Sequence, residues 1–218
     1  MNKLSFFFFL IPFLSFAQVN QKDAEGNRNG LWKVNFEGTN SPKFEGTFDH
    51  GKEVGEFKFY QKGISAHPSA IMNFDKNSDT VAIKYYTQKG KVISEGNAVD
   101  KKREGEWKYY HQESDSIMML ENYKADSLHG LQQTFYTNGN LAEKTNYTEG
   151  LKEGASFTYF ESGEVNKEIN FKNGKLDGSA VYYDLQGNIL RQGNYSGGKK
   201  IGTWKEFENG ILKEEIEY

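Results

Sequence analysis

Hydrophobic and polar residues alternate along most of this chain, with aromatic rings at many of the apolar positions. The segments GEFKFY (55–60), GEWKYY (105–110) and GTWKEF (202–207) begin with glycine and then intersperse rings with charged residues. Alternation with a period of two predicts a β-strand that buries one face. A second such segment follows the first after a short polar stretch, as in EKTNY (143–147) and EINF (168–171). The pattern therefore predicts paired strands.

Glycines at a regular interval punctuate these segments. Their successive gaps are 25, 50, 25, 24, 24 and 24 residues, and the gap of 50 is a doubled 25. An internal repeat of this length is typical of an array of supersecondary units. We count eight units, of which the one near residue 80 lacks its glycine and is degenerate. The repeat-defining glycines, to which we assign a structural role, are Gly30, Gly55, Gly105, Gly130, Gly154, Gly178 and Gly202.

Each unit also contains two turn signals. Pairs such as Asn138-Gly139 and Asn209-Gly210 supply the positive φ of tight hairpin turns, and Asn173-Gly174 leads into the following unit. Two strands of about eight residues and two turns of about four fill the period, which leaves no room for a helix. We therefore predict an all-β fold, an elongated single-layer antiparallel meander of tandem β-hairpin repeats. Its sixteen or so strands would extend over roughly 75 Å in one sheet.

The first residues differ from the rest. A short basic start ends at Lys3, an apolar run covers residues 4–16, and small residues precede a cleavage point after Ala17. This is the pattern of a Sec signal peptide, and the run is too short for a membrane span. We expect a signal peptide at 1–17, a mature N-terminal segment at 18–28 and the repeat array at 29–218. The expected location is periplasmic, in the cell envelope or extracellular.

Charge and composition narrow the function classes. There are 27 Lys and Arg against 30 Asp and Glu, and the two signs alternate along the chain. A nucleic-acid partner would need a basic cluster to neutralise phosphates, so we expect none. The chain has no cysteine, so no disulfide supports the exported fold. Aromatic residues are 15% of the chain, which predicts a core built from rings.

Candidate catalytic chemistry is sparse. The four histidines, His50, His67, His111 and His129, fall at unrelated positions of the repeat, whereas metal ligands must converge. No nucleophile elbow or phosphate loop is present. We therefore predict no enzymatic activity, no metal and no cofactor. Several carboxylates occupy the polar positions of half-exposed strands and suit solvated faces better than an acid/base pair: Glu104, Glu106, Glu153, Glu214 and Glu215.

Aromatic doublets are the feature with the most binding potential. Tyr85-Tyr86, Tyr109-Tyr110 and Tyr182-Tyr183 place one ring on each face of a strand. Most rings are expected to pack across strands, but a single-layer sheet leaves one face partly uncovered. We choose as candidate partner-binding residues the ring nearer the end of the strand: Tyr86, Tyr110, Tyr136, Phe160 and Tyr183.

The repeat resembles a known family. Residues 44–57, FEGTFDHGKEVGEF, resemble a MORN repeat, and 168–178 and 193–204 resemble the MORN-variant arrays of the YwqK family. The resemblance covers residues 29–218 and departs from the pattern at 73–80 and at Ala98, where a ring is missing. It implies an open β-hairpin sheet that serves as a scaffold or binding surface, sometimes for phospholipid. It implies no shared catalytic residue, and YwqK arrays are regarded as antitoxins.

Three functional hypotheses follow. The first is a non-enzymatic repeat scaffold that mediates protein binding in the cell envelope or outside the cell. The second, from the resemblance, is an antitoxin or immunity-like inhibitor of a toxin. The third is glycan or peptidoglycan binding on the tyrosine rows. An unknown protein is the expected partner, and a membrane surface or a glycan stays open as an alternative.

Overall fold

A computed structural model describes residues 18–64 and 66–218, and the segment assigned to a signal peptide, 1–17, lies outside the described residues. The described chain forms one antiparallel sheet without a helix. Its eighteen strands are β1 (Gln21–Lys22), β2 (Arg28–Asn35), β3 (Pro42–Asp49), β4 (Lys52–Phe59), β5 (Ala70–Phe74), β6 (Thr80–Tyr86), β7 (Val92–Val99), β8 (Lys102–Tyr110), β9 (Ile117–Lys124), β10 (Ser127–Leu128), β11 (Gly130–Phe135), β12 (Leu141–Thr148), β13 (Leu151–Tyr159), β14 (Val165–Lys172), β15 (Lys175–Tyr183), β16 (Ile189–Ser196), β17 (Lys199–Glu208) and β18 (Ile211–Glu217).

The strands follow one another in space as they do in the chain. Each registered pairing is antiparallel and joins consecutive strands, except that β9 also pairs with β11 around the two-residue β10. The predicted fold class, an all-β meander of hairpin repeats, is confirmed. Without the two-residue β1 and β10, sixteen strands remain and form eight successive hairpins, from β2–β3 to β17–β18. The segment 18–28 also contributes β1, which pairs with β2.

Two kinds of turn alternate along most of the array. Five-residue loops join strands within a hairpin, as at 136–140, where Gly139 has a φ of 88° and its amide donates to Tyr136 O. Two-residue turns join successive hairpins, as at Asn173-Gly174, where both residues have positive φ, 49° and 76°. Positive φ at both central positions defines the type I′ turn that matches the twist of paired strands. The glycine signals in the sequence therefore mark both turn types.

The sheet has two chemically different faces. One face, which we call the ring face, carries the central residues of the strands, and among them Phe57 and Trp204 are 1% and 0% exposed. Neighbouring rings cover them at edge-on geometry, with centroids 5.1 Å apart for Phe48–Phe57 and 5.0 Å for Tyr195–Trp204. The opposite face, the charged face, carries residues such as Glu45, which lies between two lysines. A single layer thus builds its core from side chains on one of its own faces.

Along the centre of the ring face, residues eleven positions apart form pairs in which one residue is smaller than the other. A Cβ added at Gly46, Gly96 or Gly193 would lie within 2.3–2.4 Å of the aromatic ring eleven residues later. These rings belong to Phe57, Trp107 and Trp204 and lie flat on the glycine backbone. Other units place a larger residue first and a smaller one second, as in Thr145 with Ser156 and Ile169 with Ala180, all of which are buried. The bulkier residue of the pair is therefore the second in some units and the first in others.

The repeat-defining glycines face the aromatic residue that closes each hairpin. Gly30 pairs with Phe48, Gly105 with Tyr123 and Gly178 with Tyr195. All seven of these glycines have positive φ, between 60° and 103°. The strand register shifts beside five of them, Gly55, Gly105, Gly154, Gly178 and Gly202. In the degenerate unit Val81 stands at the position of the glycine. It pairs with Ala98, which stands at the position of the ring.

Candidate interaction surface

A ladder of charged residues crosses the middle of the charged face. Lys33, Glu45 and Lys58 pair across three consecutive strands, with Nζ–Oε distances of 3.4 Å and 3.7 Å to the carboxylate. The same arrangement recurs where Lys84 lies 2.7 Å from Glu95. These side chains are partly exposed, so each ion pair stabilises the fold by no more than about 1 kcal/mol. The ladder mainly gives this face a mixed-charge surface.

A row of aromatic residues runs beside this ladder at the loop end of the strands. Each ring is half-buried, and most of them pair with an aliphatic residue on the second strand of the same hairpin. Six pairs are formed across six successive hairpins. They are Tyr86–Val92, Tyr110–Ile117, Phe135–Leu141, Tyr159–Val165, Tyr183–Ile189 and Phe207–Leu212. We call these six rings, together with Tyr60 of the preceding unit, the aromatic row.

Two tyrosines of the aromatic row are tied to the charge ladder. The Tyr110 hydroxyl donates to Glu95 Oε1 at 2.6 Å, and the Tyr60 hydroxyl donates to Glu45 Oε1 at 3.1 Å. Burial, together with the hydrogen bond to Glu95, raises the pKa of Tyr110 to about 12. Lys84 and then Tyr110 lower the pKa of Glu95 through hydrogen bonds. The row is therefore ordered by polar contacts as well as by packing.

The register places the five candidate partner-binding residues at two different positions. Tyr86, Tyr110 and Tyr183 belong to the aromatic row. Tyr136 and Phe160 lie one residue beyond it, as the first residues of five-residue loops. The Tyr136 hydroxyl donates to Tyr159 O of the next hairpin at 2.7 Å, so this side chain links hairpins.

Sequence reasoning missed four members of the row, Tyr60, Phe135, Tyr159 and Phe207. A signal for them existed, because each lies five residues after a repeat-defining glycine, as Tyr110 does after Gly105. Doublets are an ambiguous guide to the same position. Tyr109-Tyr110 ends on the row, whereas Tyr159-Phe160 begins on it. Counting from the glycine fixes the face of the sheet, because side chains alternate with a period of two.

The carboxylates considered as acid/base candidates have other partners. Glu104 accepts the Ala125 amide at 2.9 Å, and Glu153 accepts the Asn173 amide at 2.8 Å, so both cap the turn that follows their hairpin. Glu215 pairs with Lys205 and Glu106 with Lys108 across or along the charged face. Glu214 is exposed. The five lie in three hairpins, and Glu104, Glu106, Glu153 and Glu215 are each engaged by a different group.

One histidine lies beside two carboxylates. The ligand atoms of Asp23, Glu25 and His50 lie within 4.8 Å of one another, a grouping that the separate sequence positions did not predict. Asp23 is engaged already, because it accepts the Asn27 amide at 2.8 Å and lies 2.8 Å from His50 Nδ1. That hydrogen bond raises the pKa of His50. At Asp23 burial acts to raise the pKa, but the hydrogen bonds with His50 and Asn27 together lower it. Asp23 thus forms an Asx turn with Asn27, and its contact with His50 joins the end of β1 to the β3–β4 turn.

A buried polar network lies at the irregular junction around β10. Glu121 is 7% exposed and accepts from the Tyr123 hydroxyl at 2.5 Å and from Gln132 at 2.7 Å. Arg103 donates to the same Tyr123 hydroxyl and lies 3.8 Å from its ring centroid. Burial and then the bond to Glu121 raise the pKa of Tyr123. With its atoms mutually satisfied, the network fixes the register of this junction.

Comparison with known proteins supports the interpretation of the repeat. The family model described as "MORN repeat variant" matches residues 128–149 and 152–173, which lie in the hairpins from β10 to β14. The chain carries MORN-variant repeats at these residues. The antiparallel meander on both sides of these MORN-variant repeats agrees with that assignment. MORN repeats are non-catalytic motifs that commonly bind proteins or membranes.

Other comparisons add little to the MORN-variant assignment. No curated protein matches the chain. Among solved structures, the chain is similar, at 9% identity, to a crystal structure of an S. aureus TarM mutant in complex with fondaparinux, α-GlcNAc-glycerol and UDP. The alignment covers 78% of this chain but only 21% of that chain, with a TM-score of 0.21 that supports no argument. Within residues 18–64 and 66–218, no helix of the length and hydropathy needed to cross a membrane is found.

Proposed function

We propose that this protein is a non-enzymatic scaffold that binds a partner protein through the charged face, with the aromatic row as its centre. The observation that carries the proposal is the alignment of half-buried rings at one position in successive hairpins. Equivalent residues of successive hairpins are two strands apart, about 10 Å, so the row repeats one contact at a regular spacing. Partly exposed aromatic rows bordered by polar residues are typical of protein-binding surfaces.

The neighbouring charge ladder suits such a partner. Alternating lysines and glutamates, as in Lys84–Glu95–Lys108, offer both signs to a polypeptide surface and no net field for a polyanion. The family association with protein and membrane binding also supports a binding role. A location in the cell envelope or outside the cell is part of the proposal and is motivated by the apolar segment 4–16. Inhibition of a secreted toxin would be one instance of this binding.

Site-specific photocrosslinking tests the proposal. A benzophenone amino acid replaces Phe207, in the aromatic row, in one full-length variant, and replaces Glu206, the preceding residue of the same strand, in the matched control. Glu206 pairs with Glu214 on the ring face, so the two probes differ in face but not in hairpin. In cells expressing the chain, we expect one specific protein adduct from position 207 and none from 206.

Two results would count against the proposal. Equal adducts from both positions would show that capture does not depend on the charged face. Absence of any protein adduct from position 207, with the crosslinker active and the chain folded, would reject a protein partner. Adducts with glycan or lipid alone would favour the alternative ligands.

A further inference from the structure

Four asparagines of this chain precede a glycine, a dipeptide that deamidates spontaneously because glycine has no side chain to hinder attack on the asparagine amide. They are Asn29, Asn138, Asn173 and Asn209. In this reaction the glycine nitrogen forms a bond to Cγ of the asparagine, and ammonia leaves to give a cyclic imide. Water then opens the imide at one of its two carbonyl carbons and gives aspartate or isoaspartate. The surroundings of each site decide how readily the nitrogen can attack.

The turn at Asn173 is anchored to the preceding hairpin. The Gly174 amide donates to Lys152 O at 2.9 Å, and the Asn173 amide donates to Glu153 Oε2 at 2.8 Å. Both strands that this turn joins also pair on their other side, β14 with β13 and β15 with β16. The attacking nitrogen is therefore a bonded donor in a turn that is held on both sides.

The sites at Asn138 and Asn29 are held as well. The Gly139 amide donates to Tyr136 O at 2.9 Å. Asn138 Nδ2, the group that would leave as ammonia, donates to Glu161 O of the next hairpin at 3.1 Å. Asn29 lies within β2 and is half-buried, so the strand restrains its backbone. Attack at either site requires these contacts to open.

The turn at Asn209 lacks these restraints. It is a two-residue turn between β17 and β18, with φ of 51° at Asn209 and 76° at Gly210. Asn209 is exposed, and the Gly210 amide donates to no acceptor within residues 18–64 and 66–218. In the same part of the chain β18 pairs with β17 alone, and six of its seven residues are exposed. Local opening of this turn therefore breaks fewer contacts than at the other three sites.

We infer that Asn209 is a site of spontaneous deamidation, at which isoaspartate accumulates faster than at Asn29, Asn138 or Asn173. A single hydrogen bond that must break before the attack slows the reaction roughly two- to tenfold. We expect a difference of at least this size between Asn209 and Asn173. The inference concerns the covalent structure of the β17–β18 hairpin and goes beyond the proposed function, because it requires no partner.

The modification would also affect the aromatic row. Isoaspartate inserts one extra carbon into the main chain of a turn whose flanking pairs are Glu208–Ile211 and Phe207–Leu212. This register belongs to a two-residue turn with positive φ at both positions, and a longer main chain does not fit it. Leu212 therefore loses its register with Phe207, a ring of the aromatic row, and the pairing of β18 weakens.

The test is peptide mapping by mass spectrometry of the full chain, aged at neutral pH and sampled over time. Deamidation is detected as the mass gained when an amide becomes an acid, and isoaspartate is identified by enzymatic methylation of its free carboxylate. All four sites are measured in one sample, and the chain unfolded in urea is the reference. We expect Asn209 to react first in the folded chain, and the four rates to become similar in urea.

Two variants connect the rates to the structure. Glu153→Ala removes the acceptor of the Asn173 amide, so it is expected to raise the rate at Asn173 and to leave Asn209 unchanged. Asn209→Gly keeps a residue that accepts positive φ but cannot deamidate. Amides of β18 are expected to exchange hydrogen faster after ageing in the parent, and not in Asn209→Gly.

Two results would overturn the inference. One is an equal or lower rate at Asn209 than at Asn173 in the folded chain. The other is a preference for Asn209 that persists unchanged in urea, because that preference would come from the neighbouring sequence and not from the fold.

Discussion

Gly193 and Trp204 form one of the pairs in which a small residue contacts a large one eleven positions later. This contact predicts that a larger residue at position 193 destabilises the fold. A Cβ at position 193 would lie 2.3 Å from Trp204 Cδ2 and 2.4 Å from Cε2, whereas ordinary contacts begin near 3.4 Å. Gly193→Ala therefore requires the indole ring or the strand to move by about 1 Å, the difference between these distances. The ring has little freedom, because it is 0% exposed and its Nε1 donates to Asn194 O at 3.1 Å.

Overpacking of this kind lowers the free energy of unfolding by about 1–3 kcal/mol. Trp204→Ala alone removes a fully buried ring and should cost about 3–5 kcal/mol. The double variant Gly193→Ile with Trp204→Ala copies the buried pair Ile169–Ala180 of the preceding unit. We expect the double variant to be more stable than the summed effects of Gly193→Ile alone and Trp204→Ala alone would give. The expected difference is about 1–3 kcal/mol, a coupling energy typical of residues in contact.

Urea unfolding followed by circular dichroism measures these differences, with the slope m as a check that each variant unfolds as cooperatively as the parent. Asn194→Ala is the matched control, because Asn194 is exposed and its backbone carbonyl is retained. It should change stability by less than about 0.5 kcal/mol. The reasoning is refuted if Gly193→Ala unfolds at the same urea concentration as the parent, or if the double variant loses the full sum of the single effects.

Three further predictions concern other contacts. Gly154→Ala should lower stability by about 1–2 kcal/mol in urea, although no atom lies within 4 Å of the added Cβ, because φ is 76° there. Thr145→Ile should cost about 1–3 kcal/mol by removing the partner of the Ser156 hydroxyl, 2.6 Å away, and Ser156→Ala should restore most of it. Asp23→Asn should return the raised pKa of His50 toward 6.5 in an NMR titration. In the parent protein, protonated His50 should contribute its full stabilisation below pH 6.5. This contribution should be lost as the pH rises through the raised, folded-state pKa of His50. Because the pKa of Asp23 is lowered, the contribution of that carboxylate is lost when the pH falls below 3.8 toward its folded pKa.

Much of the candidate surface could be predicted because it depends on local periodicity. The glycine spacing identified the units, and the aromatic doublets supplied Tyr110 and Tyr183 as candidates, both of which lie in the aromatic row. Which candidates share this row depends on register, which the sequence did not show. Tyr136 and Phe160 carry the same residue types as the row but come one residue after the strand ends.

Contacts between distant segments were beyond sequence reasoning. The approach of His50 to Asp23, 27 residues away, depends on how β1 lies against the first long hairpin. This distance is not contained in the repeat pattern, because Asp23 lies before the array.

The sequence by itself determined that this chain is a series of antiparallel hairpins, since a period of 24–26 residues with two turn signals has no room for another connection. Only the tertiary structure decided which residues share a volume. Taken separately, Gly193 and Trp204 are compatible with many environments. In the structure they touch on the ring face, so the Trp204 ring fits only because position 193 has no side chain. The physical reason is that strand geometry is a local property of the backbone, whereas close packing is set jointly by side chains from several strands.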